Sequence, residues 1–427
     1  MLVQFTVENF LSFRKAATLS MVAANDPTLP HNVWVSPSGK GPDLLRSVAV
    51  FGANASGKSN LLRALWFMEW FVLNSVREGN GDTPIPIRPF KLDKACRRRP
   101  STFEVVFLWE DVRYVFGFSV DSERVHKEWL ISYPVRQPRL LYERRAAKRD
   151  IKFGSGWQGQ RKVLENATRP NALFISVAAQ LNNPLAEIVQ GWFADKLRTV
   201  SWFPTFGTEQ VFTSQLVKEE VRQQKVDILQ FLRAADPGIT DVLVEKRLLR
   251  ESRQFTRMPD SLRKAVLSGL PKDAEMFDVS TRHEGVGTDG ASTTVPFDLE
   301  EESDGTQKFY ALAGPWTYVL EHGCTVVVDE LDARLHPLLT MWLISLFHNP
   351  KTNPHGAQLI FATHDENLMD RGVFRRDQLW FTEKDTAGGT SLYSLSDFKG
   401  LRKEENTRKA YLAGRYGAVP YVEPTVQ

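Results

Sequence analysis

One eight-residue segment constrains the fold of this chain more than any other. It reads Gly52-Ala-Asn-Ala-Ser-Gly-Lys-Ser59 and follows an almost continuous apolar run from Leu44 to Phe51. Such a run is typical of a central strand covered on both faces. From Lys58 onward the residues are apolar nearly all round, which predicts a helix buried in a large core. A strand, a glycine-rich turn and a buried helix in this order indicate an α/β fold.

The turn matches the pattern G-x-x-x-x-G-K-[ST] of a phosphate-binding loop. Glycines let successive backbone N–H groups point at one anion, and the helix N-terminus adds a partial positive charge. We expect Lys58 to reach the β- and γ-phosphates of a nucleotide and the Ser59 hydroxyl to ligate Mg²⁺. The alternative is a glycine-rich turn that carries a surface lysine. The other residues predicted to bind the phosphates are Gly52, Asn54, Ala55, Ser56, Gly57 and Asn60.

A second apolar run, Cys324 to Val328, predicts a buried strand that ends in two acids. Asp329 at the end of such a strand can hold Mg²⁺ through its water shell. The adjacent Glu330 can accept a proton from an attacking water or orient it, and we predict it to be catalytic together with Lys58. The alternative is a strand that ends in two solvated acids.

A third apolar strand is predicted at Gln358–Ala362 and is followed by His364. With the helix predicted from His336 through Phe347, it forms a strand–helix–strand pattern typical of a right-handed parallel crossover. Parallel strands end at one edge of a sheet, so the His364 imidazole could hydrogen-bond the γ-phosphate or the catalytic water. The alternative is a structural or solvated histidine.

A small polar cluster, Ser303-Asp304-Gly305-Thr306-Gln307, opens a predicted helix ahead of the acidic pair. Hydroxyl, backbone N–H groups and helix dipole would converge there on a second anion. The alternative is an ordinary helix N-cap. The position of the cluster just before the Asp329 strand favours the anion site.

Composition bounds the class of protein. The 427 residues carry a net charge of +3 and are 42% hydrophobic and 25% charged, which is ordinary for a globular protein. Two cysteines suit a reducing cytoplasm and exclude a cysteine-rich zinc site. No apolar run is long enough for a membrane span, and no secretory signal is recognisable at the N-terminus. We therefore expect a cytoplasmic protein without a membrane partner.

Four regions follow from these patterns: 1–130 as an N-terminal lobe with the phosphate loop, 131–300 as an inserted helical and basic region, 301–400 as a C-terminal lobe, and 401–427 as a tail. Asn183-Pro184 predicts a helix start inside the insert. Two basic stretches, Arg136–Lys152 and Lys91–Arg99, could contact the phosphates of nucleic acid. The alternative, which we favour at this point, is that both are solvated loops.

Taken together, the motifs resemble those of ATPases with an ABC-type head, the group of SMC, the Rad-fifty type and RecF. Within that group the chain is most similar to short bacterial ATPases of phage-defence and abortive-infection systems, the AbiLi/RloA type, related to the ATPase part of OLD-family nucleases. The resemblance covers both ends of the chain well and the middle poorly. The segments that carry it, besides the motifs above, are Val7–Arg14, Glu330-Leu-Asp332, Arg334-Leu-His-Pro337 and Arg415–Pro420.

The resemblance implies an ABC-type ATPase head with a mixed β lobe and an inserted, largely helical segment. It implies ATP and Mg²⁺ as ligands and a homodimer or higher homo-oligomer that sandwiches two nucleotides. Lys58 and Ser59 of one copy would bind phosphates that Ser303, Gly305 and Gln307 of the other copy cap, with Asp332 at the dimer seam.

The expected role is a nucleotide-gated switch in anti-phage defence that controls a separate, nuclease-like effector protein. Two alternatives stay open: a DNA-repair ATPase of RecF type, and a scaffold that binds ATP without hydrolysing it. The family has a glutamine in the lid strand after the first helix, whereas this sequence has none between Lys58 and Gln137. Either a later residue makes that contact, with Gln180 as a candidate, or the contact is missing and fast hydrolysis is not expected.

Overall fold

The structure is a computed structural model that describes residues 1–77, 83–146, 150–200, 208–218, 222–261, 263, 271, 273–370, 372–401 and 405–420. The chain divides into two compact units. The first unit comprises residues 1–201, 322–332 and 341–427, and the second comprises residues 202–321 and 333–340.

A six-stranded sheet forms the centre of the first unit. Its strand order is β11-β15-β16-β5-β17-β18, and all neighbours are parallel except the β17–β18 hairpin. The central strands are wholly buried, as their continuous apolar sequences predict. The six strands are β5 (Ser47–Phe51), β11 (Leu197–Val200), β15 (Thr325–Val328), β16 (Gln358–Ala362), β17 (Leu379–Lys384) and β18 (Thr390–Ser394).

The helices of the first unit agree with the predicted starts. The helix α1 (Lys58–Asn74) begins directly after the phosphate loop and buries most of its apolar residues. Asn183 caps α4 (Pro184–Gly191), because its side-chain oxygen accepts from the backbone N–H of Leu185 at 3.2 Å. Both predictions are confirmed. The other helices here are α2 (Arg161–Ala167), α3 (Phe174–Gln180), α9 (Pro337–His348, from residue 341 onward) and α10 (Thr407–Leu412).

A seven-stranded antiparallel sheet packs on the other side of α1. Its order is β10-β9-β8-β7-β6-β1-β2. Rings from α1 and the sheet make the core, with Phe67 5.1 Å from Phe103 and Phe71 5.4 Å from Phe118 between ring centroids. The strands are β1 (Leu2–Glu8), β2 (Ala17–Ser20), β6 (Ser101–Trp109), β7 (Val112–Val120), β8 (Val125–Tyr133), β9 (Arg139–Arg145) and β10 (Asp150–Phe153); β3 (Val33–Trp34) and β4 (Leu44–Leu45) form a separate small ladder.

One expectation about this sheet is wrong. The basic composition of the stretch from Arg136 favours a solvated loop, but Arg139–Arg145 is strand β9. The Arg144 side chain is buried and lies 3.5 Å from the buried carboxylate of Glu128. The reason is that Leu141 and Tyr142 interrupt the basic residues and pack into the core. Arg144 comes two residues after Tyr142 in the strand, so it lies on the same buried face.

The second unit combines helices with a three-stranded antiparallel sheet. The strands β12 (Ile239–Leu248), β13 (Glu275–Val286) and β14 (Ser292–Asp298) pair in sequence order. Its helices are α5 (Thr208–Lys218), α6 (Arg222–Ala235), α7 (Arg253–Arg257) and α8 (Asp304–His322), whose last residue falls in the first unit. The region 131–300 thus holds the end of β8 and the strands β9–β14 beside its helices.

In the part of the chain that the structure describes, none of the helices combines the length and the apolar character needed to cross a membrane.

Candidate active site

Three of the predicted motifs meet at one edge of the six-stranded sheet. The strand β16 lies between β15 and β5, and all three run parallel. Their carboxyl ends therefore point to the same edge, where the loops to Asp329, His364 and the phosphate loop begin. This is the place where ligands bind in open α/β sheets.

The phosphate loop has a backbone shape that requires its glycines. Gly57 has φ +121°, and a Cβ atom there would lie 2.4 Å from the Thr390 hydroxyl oxygen. Gly52 has φ +152°, and a Cβ atom there would lie 2.5 Å from the carbonyl oxygen of Thr382. Both distances are shorter than any real contact of a Cβ atom, so a side chain at either position would displace the β17–β18 hairpin.

Lys58 is folded back over the loop that precedes it. Its Nζ atom donates to the carbonyl oxygens of Gly52 at 2.7 Å and Ala53 at 3.2 Å. Burial lowers the pKa of Lys58, while the charges of the nearby acids Asp329 and Glu330, together with Asp332, oppose that shift. The lysine therefore lies within electrostatic range of the acids that follow β15, as the sequence predicts.

Asp329 has an oxygen that no described group satisfies. Its Oδ1 atom is buried and has no hydrogen-bond partner among the described residues. A buried carboxylate oxygen without a donor is costly unless a cation or its water shell completes it. Carboxylate and hydroxyl oxygens are the ligands that Mg²⁺ prefers, so Asp329, with Ser59 at the start of α1, fits this ion.

The neighbouring acids differ in conformation. Glu330 is exposed and has φ +50°, a left-handed backbone that costs about 1 kcal/mol or more for a residue with a side chain. The carboxylate of Asp332 accepts from the backbone N–H of His364, at 3.3 Å through Oδ2. Partial burial and the charge of Lys58 lower the pKa of His364, and Asp332 opposes the shift. Asp332 and His364 therefore form one connected pair.

Sequence reasoning missed the residues that brace the phosphate loop. Thr390 Oγ1 donates to the carbonyl oxygen of Ser56 at 2.8 Å and lies 2.8 Å from Ser12 Oγ. Ser56 Oγ lies 2.7 Å from Thr382 Oγ1, and the Asn60 amide donates to Ser12 Oγ at 2.8 Å. Ser12 belongs to the opening segment Val7–Arg14 that the resemblance singled out, whereas nothing in the sequence distinguishes the two threonines.

The polar cluster at Ser303 lies in the second unit. The Ser303 hydroxyl accepts from the backbone N–H of Thr306 at 3.1 Å, so it caps α8. Gln307 donates through Nε2 to the carbonyl oxygen of Glu302 at 2.9 Å, and a Cβ atom at Gly305 would lie 3.1 Å from the carbonyl oxygen of Arg334. Ser303 is exposed, so the N-terminus of α8 that it caps is open to solvent.

The fold and the motifs at this sheet edge define a domain of the P-loop NTPase type. A protein-family profile described as "AAA domain, putative AbiEii toxin, Type IV TA system" matches residues 47–370. The match covers most of the chain and includes the phosphate loop, the acidic pair and His364. The chain belongs to this family. No curated protein matches it.

Three solved structures are similar to this chain at 12% sequence identity. The first is an SMC head domain from Thermotoga maritima, which matches over 92% of this chain and 98% of that chain with a TM-score of 0.39. The second is an SMC head bound to the C-terminal winged-helix domain of ScpA, which matches over 94% of this chain and 98% of that chain with a TM-score of 0.44. The third is cbiO1 from Clostridium perfringens, part of the ABC transporter complex cbiONQ, which matches over 98% of both chains with a TM-score of 0.28. With TM-scores below 0.5, these likenesses carry no argument about function.

Proposed function

We propose that this protein hydrolyses ATP and acts as a nucleotide-gated switch in a bacterial defence system. The observation that carries the proposal is the convergence of Lys58, the Asp329 oxygen that no described residue satisfies and the Asp332–His364 pair at the carboxyl edge of one parallel sheet. This combination suits the binding of a triphosphate and its metal, because Lys58 is a cation, Asp329 offers a carboxylate oxygen to the metal and His364 lies at the same edge of the sheet.

Lys58 changes partners when a nucleotide binds. Its Nζ atom leaves the carbonyl oxygens of Gly52 and Ala53, and it contacts the β- and γ-phosphates instead. Ser59 and Asp329 would hold Mg²⁺, which would supply positive charge beside the phosphate oxygens. Glu330 is exposed at the same edge, where its carboxylate can take a proton from the attacking water.

Two copies of the chain complete the site in this proposal. The exposed N-terminus of α8, with Ser303, Gly305 and Gln307, caps the γ-phosphate bound by the partner subunit, because backbone N–H groups and a helix dipole favour an anion. Asp332 lies at the seam, so closure is communicated to His364 through their hydrogen bond. ADP lacks the γ-phosphate and does not support the closed dimer.

The biological part of the proposal rests on the family. Its description names an AbiEii toxin and a type IV toxin–antitoxin system. These words support a role in abortive infection, where the ATP-bound assembly controls a separate effector protein in the cytoplasm. Function at this level comes from the family and not from the geometry of the site.

Two variants test the switch. Lys58→Ala removes the phosphate-contacting cation, so ATP affinity measured by calorimetry falls beyond detection, whereas Lys351→Ala, an exposed lysine, binds ATP normally. Glu330→Gln retains ATP and stays closed, so light scattering gives twice the monomer mass with ATP and the monomer mass with ADP.

Three results would contradict parts of this proposal. Equal ATP turnover by the wild type and Glu330→Gln would contradict the proposed hydrolysis of ATP and would favour a nucleotide-gated scaffold. If the Glu330→Gln variant keeps the monomer mass in the presence of ATP, the proposed closure of a dimer is wrong. Length-dependent stimulation of ATP turnover by duplex DNA, with no partner protein present, would favour a DNA-repair ATPase over a defence switch.

A further inference from the structure

A rigid cationic turn lies in the first unit beside the opening segment of the chain. The turn comprises residues 91–99, Lys-Leu-Asp-Lys-Ala-Cys-Arg-Arg-Arg, with five basic residues and one acid. Its centre is a short 3-10 helix, Cys96–Arg98. An open groove in the surface is lined by Lys94, Ala95, Arg97 and Arg98.

Most of this charge is not neutralised by the part of the chain that the structure describes. Asp93 pairs with Arg14 at 2.7 Å, and Arg99 pairs with Glu8 at 2.6 Å. Among the described residues, no carboxylate forms an ion pair with the other four basic residues, Lys91, Lys94, Arg97 and Arg98, and all four side chains are exposed. Like charges held this close repel one another, so the turn gains from an anionic partner.

The turn is held in place by a buried amide, which a solvated loop does not need. Asn9 is fully buried, and its Nδ2 atom donates to the carbonyl oxygens of Cys96 at 2.9 Å and Arg99 at 2.8 Å. Its Oδ1 atom accepts from the backbone N–H of Phe90 at 3.3 Å. Within the turn, Arg97 Nε donates to the carbonyl oxygen of Lys91 at 2.6 Å. The four cations are therefore presented from a fixed backbone, which lowers the entropy cost of binding.

We infer that the cationic turn binds the phosphate backbone of duplex DNA. Several exposed cations around one groove match a repeating row of phosphates better than a single small anion. Single strands are bound chiefly by stacking their bases on aromatic rings. The only aromatic residue between residues 88 and 99, all of which are described, is Phe90, and it is buried. The turn offers charge without a stacking platform, and the binding is independent of base sequence.

The test is fluorescence anisotropy with a labelled 30-base-pair duplex and the full chain. In Lys94→Ala/Arg97→Ala/Arg98→Ala, the duplex binds about tenfold or more weakly at low salt, because three phosphate contacts are lost. The slope of log Kd against log salt concentration falls by about 2.7, which is about 0.9 for each contact. A matched control, Lys40→Ala/Lys162→Ala/Lys351→Ala, removes the same charge at exposed positions elsewhere and leaves the affinity and the slope unchanged.

A second variant distinguishes the loss of charge from damage to the structure of the turn. Lys94→Glu/Arg98→Glu keeps the Arg97 hydrogen bond to Lys91 and reverses two charges, so it weakens duplex binding more than removal of the same two charges does. Circular dichroism and thermal unfolding establish that each variant is folded.

The inference is independent of the proposed ATPase switch, because neither readout requires a nucleotide. Equal affinity of both triple variants for the duplex overturns it. So does a triple variant that loses affinity for ATP but not for duplex, since the turn would then belong to the nucleotide pocket. Tighter binding of a 30-residue thymidine single strand than of the duplex overturns the choice of duplex.

Discussion

The hydroxyl oxygen of Thr390 lies 2.8 Å from the carbonyl oxygen of Ser56, although the two residues are 334 positions apart in the chain. The same hydroxyl is hydrogen-bonded to the Ser12 hydroxyl at 2.8 Å, so the phosphate loop is fixed from both ends of the sequence. Preorganised donors and backbone shape, more than residue type alone, decide how well such a loop binds phosphate. The β17–β18 hairpin is therefore part of the candidate site without contributing a predicted phosphate ligand.

Replacing Thr390 tests this bracing directly. Thr390→Val keeps the volume but removes the hydroxyl, leaving the Ser56 carbonyl and the Ser12 hydroxyl without that partner. A buried group that loses its hydrogen bond costs about 1–3 kcal/mol, so we expect the free energy of unfolding to fall by that amount. Urea denaturation measures it, and calorimetry should show weaker ATP binding.

Thr386→Val is the matched control, because Thr386 is exposed in the turn of the same hairpin. It should change neither the unfolding free energy nor ATP affinity. If Thr390→Val and Thr386→Val behave alike in both measurements, the hairpin does not brace the loop.

The sequence predicts those parts of the site in which the chemically active residues directly follow a strand. The phosphate loop directly follows β5, and Asp329 directly follows β15, so local pattern alone places both. Parallel pairing then brings His364 to the same edge, as predicted from the crossover. Their assigned roles in binding and catalysis stay predictions.

The parts that the sequence does not predict depend on long-range packing. Thr382 and Thr390 are ordinary strand residues, and only the tertiary structure brings them against Gly52 and Gly57. The same holds for Arg144, whose basic neighbours suggest a solvated loop until the sheet places it beside Glu128. No periodicity encodes which polar side chain in a strand meets a partner from another element.

The buried carboxylate of Glu128 gives a second prediction. It accepts hydrogen bonds from the backbone N–H groups of Phe174 at 2.7 Å and Ile175 at 2.8 Å, and from the Tyr142 hydroxyl at 2.7 Å. Glu128→Ala leaves these donors and the Arg144 guanidinium without their acceptor. Breaking a buried pair from one side costs about 3–5 kcal/mol, and urea denaturation should show that loss.

Two further variants sharpen the test of Glu128. Glu128→Gln keeps one acceptor oxygen, so its loss of unfolding free energy should be smaller than that of Glu128→Ala. Glu187→Ala, at an exposed position in α4, should have little effect. A Glu128→Ala variant as stable as Glu187→Ala would show that the buried network contributes nothing.

Glu69 on α1 makes stability depend on pH in a direction that can be worked out. Burial raises the pKa of Glu69 from 4.5 to about 7, while the Thr199 hydroxyl, which donates to it at 2.7 Å, and the charge of Arg198 oppose the shift. The folded state therefore prefers the protonated acid. This contribution to stability is complete below pH 4.5 and is lost as the pH rises through about 7, at a total cost on the order of 3 kcal/mol.

Glu69→Gln mimics the protonated acid at every pH, and its amide oxygen still accepts from Thr199. The variant should therefore be more stable than the wild type at pH 8, and the gap should shrink as the pH falls from 7 toward 4.5. Taking the difference between the two proteins at each pH cancels the other titrating groups, which both share. Glu123→Gln, whose side chain is 76% exposed, is the control and should show no such pH-dependent gap in urea denaturation. A Glu69→Gln variant less stable than the wild type at pH 8 would mean that the charged carboxylate, paired with Arg198, is the form that the fold prefers.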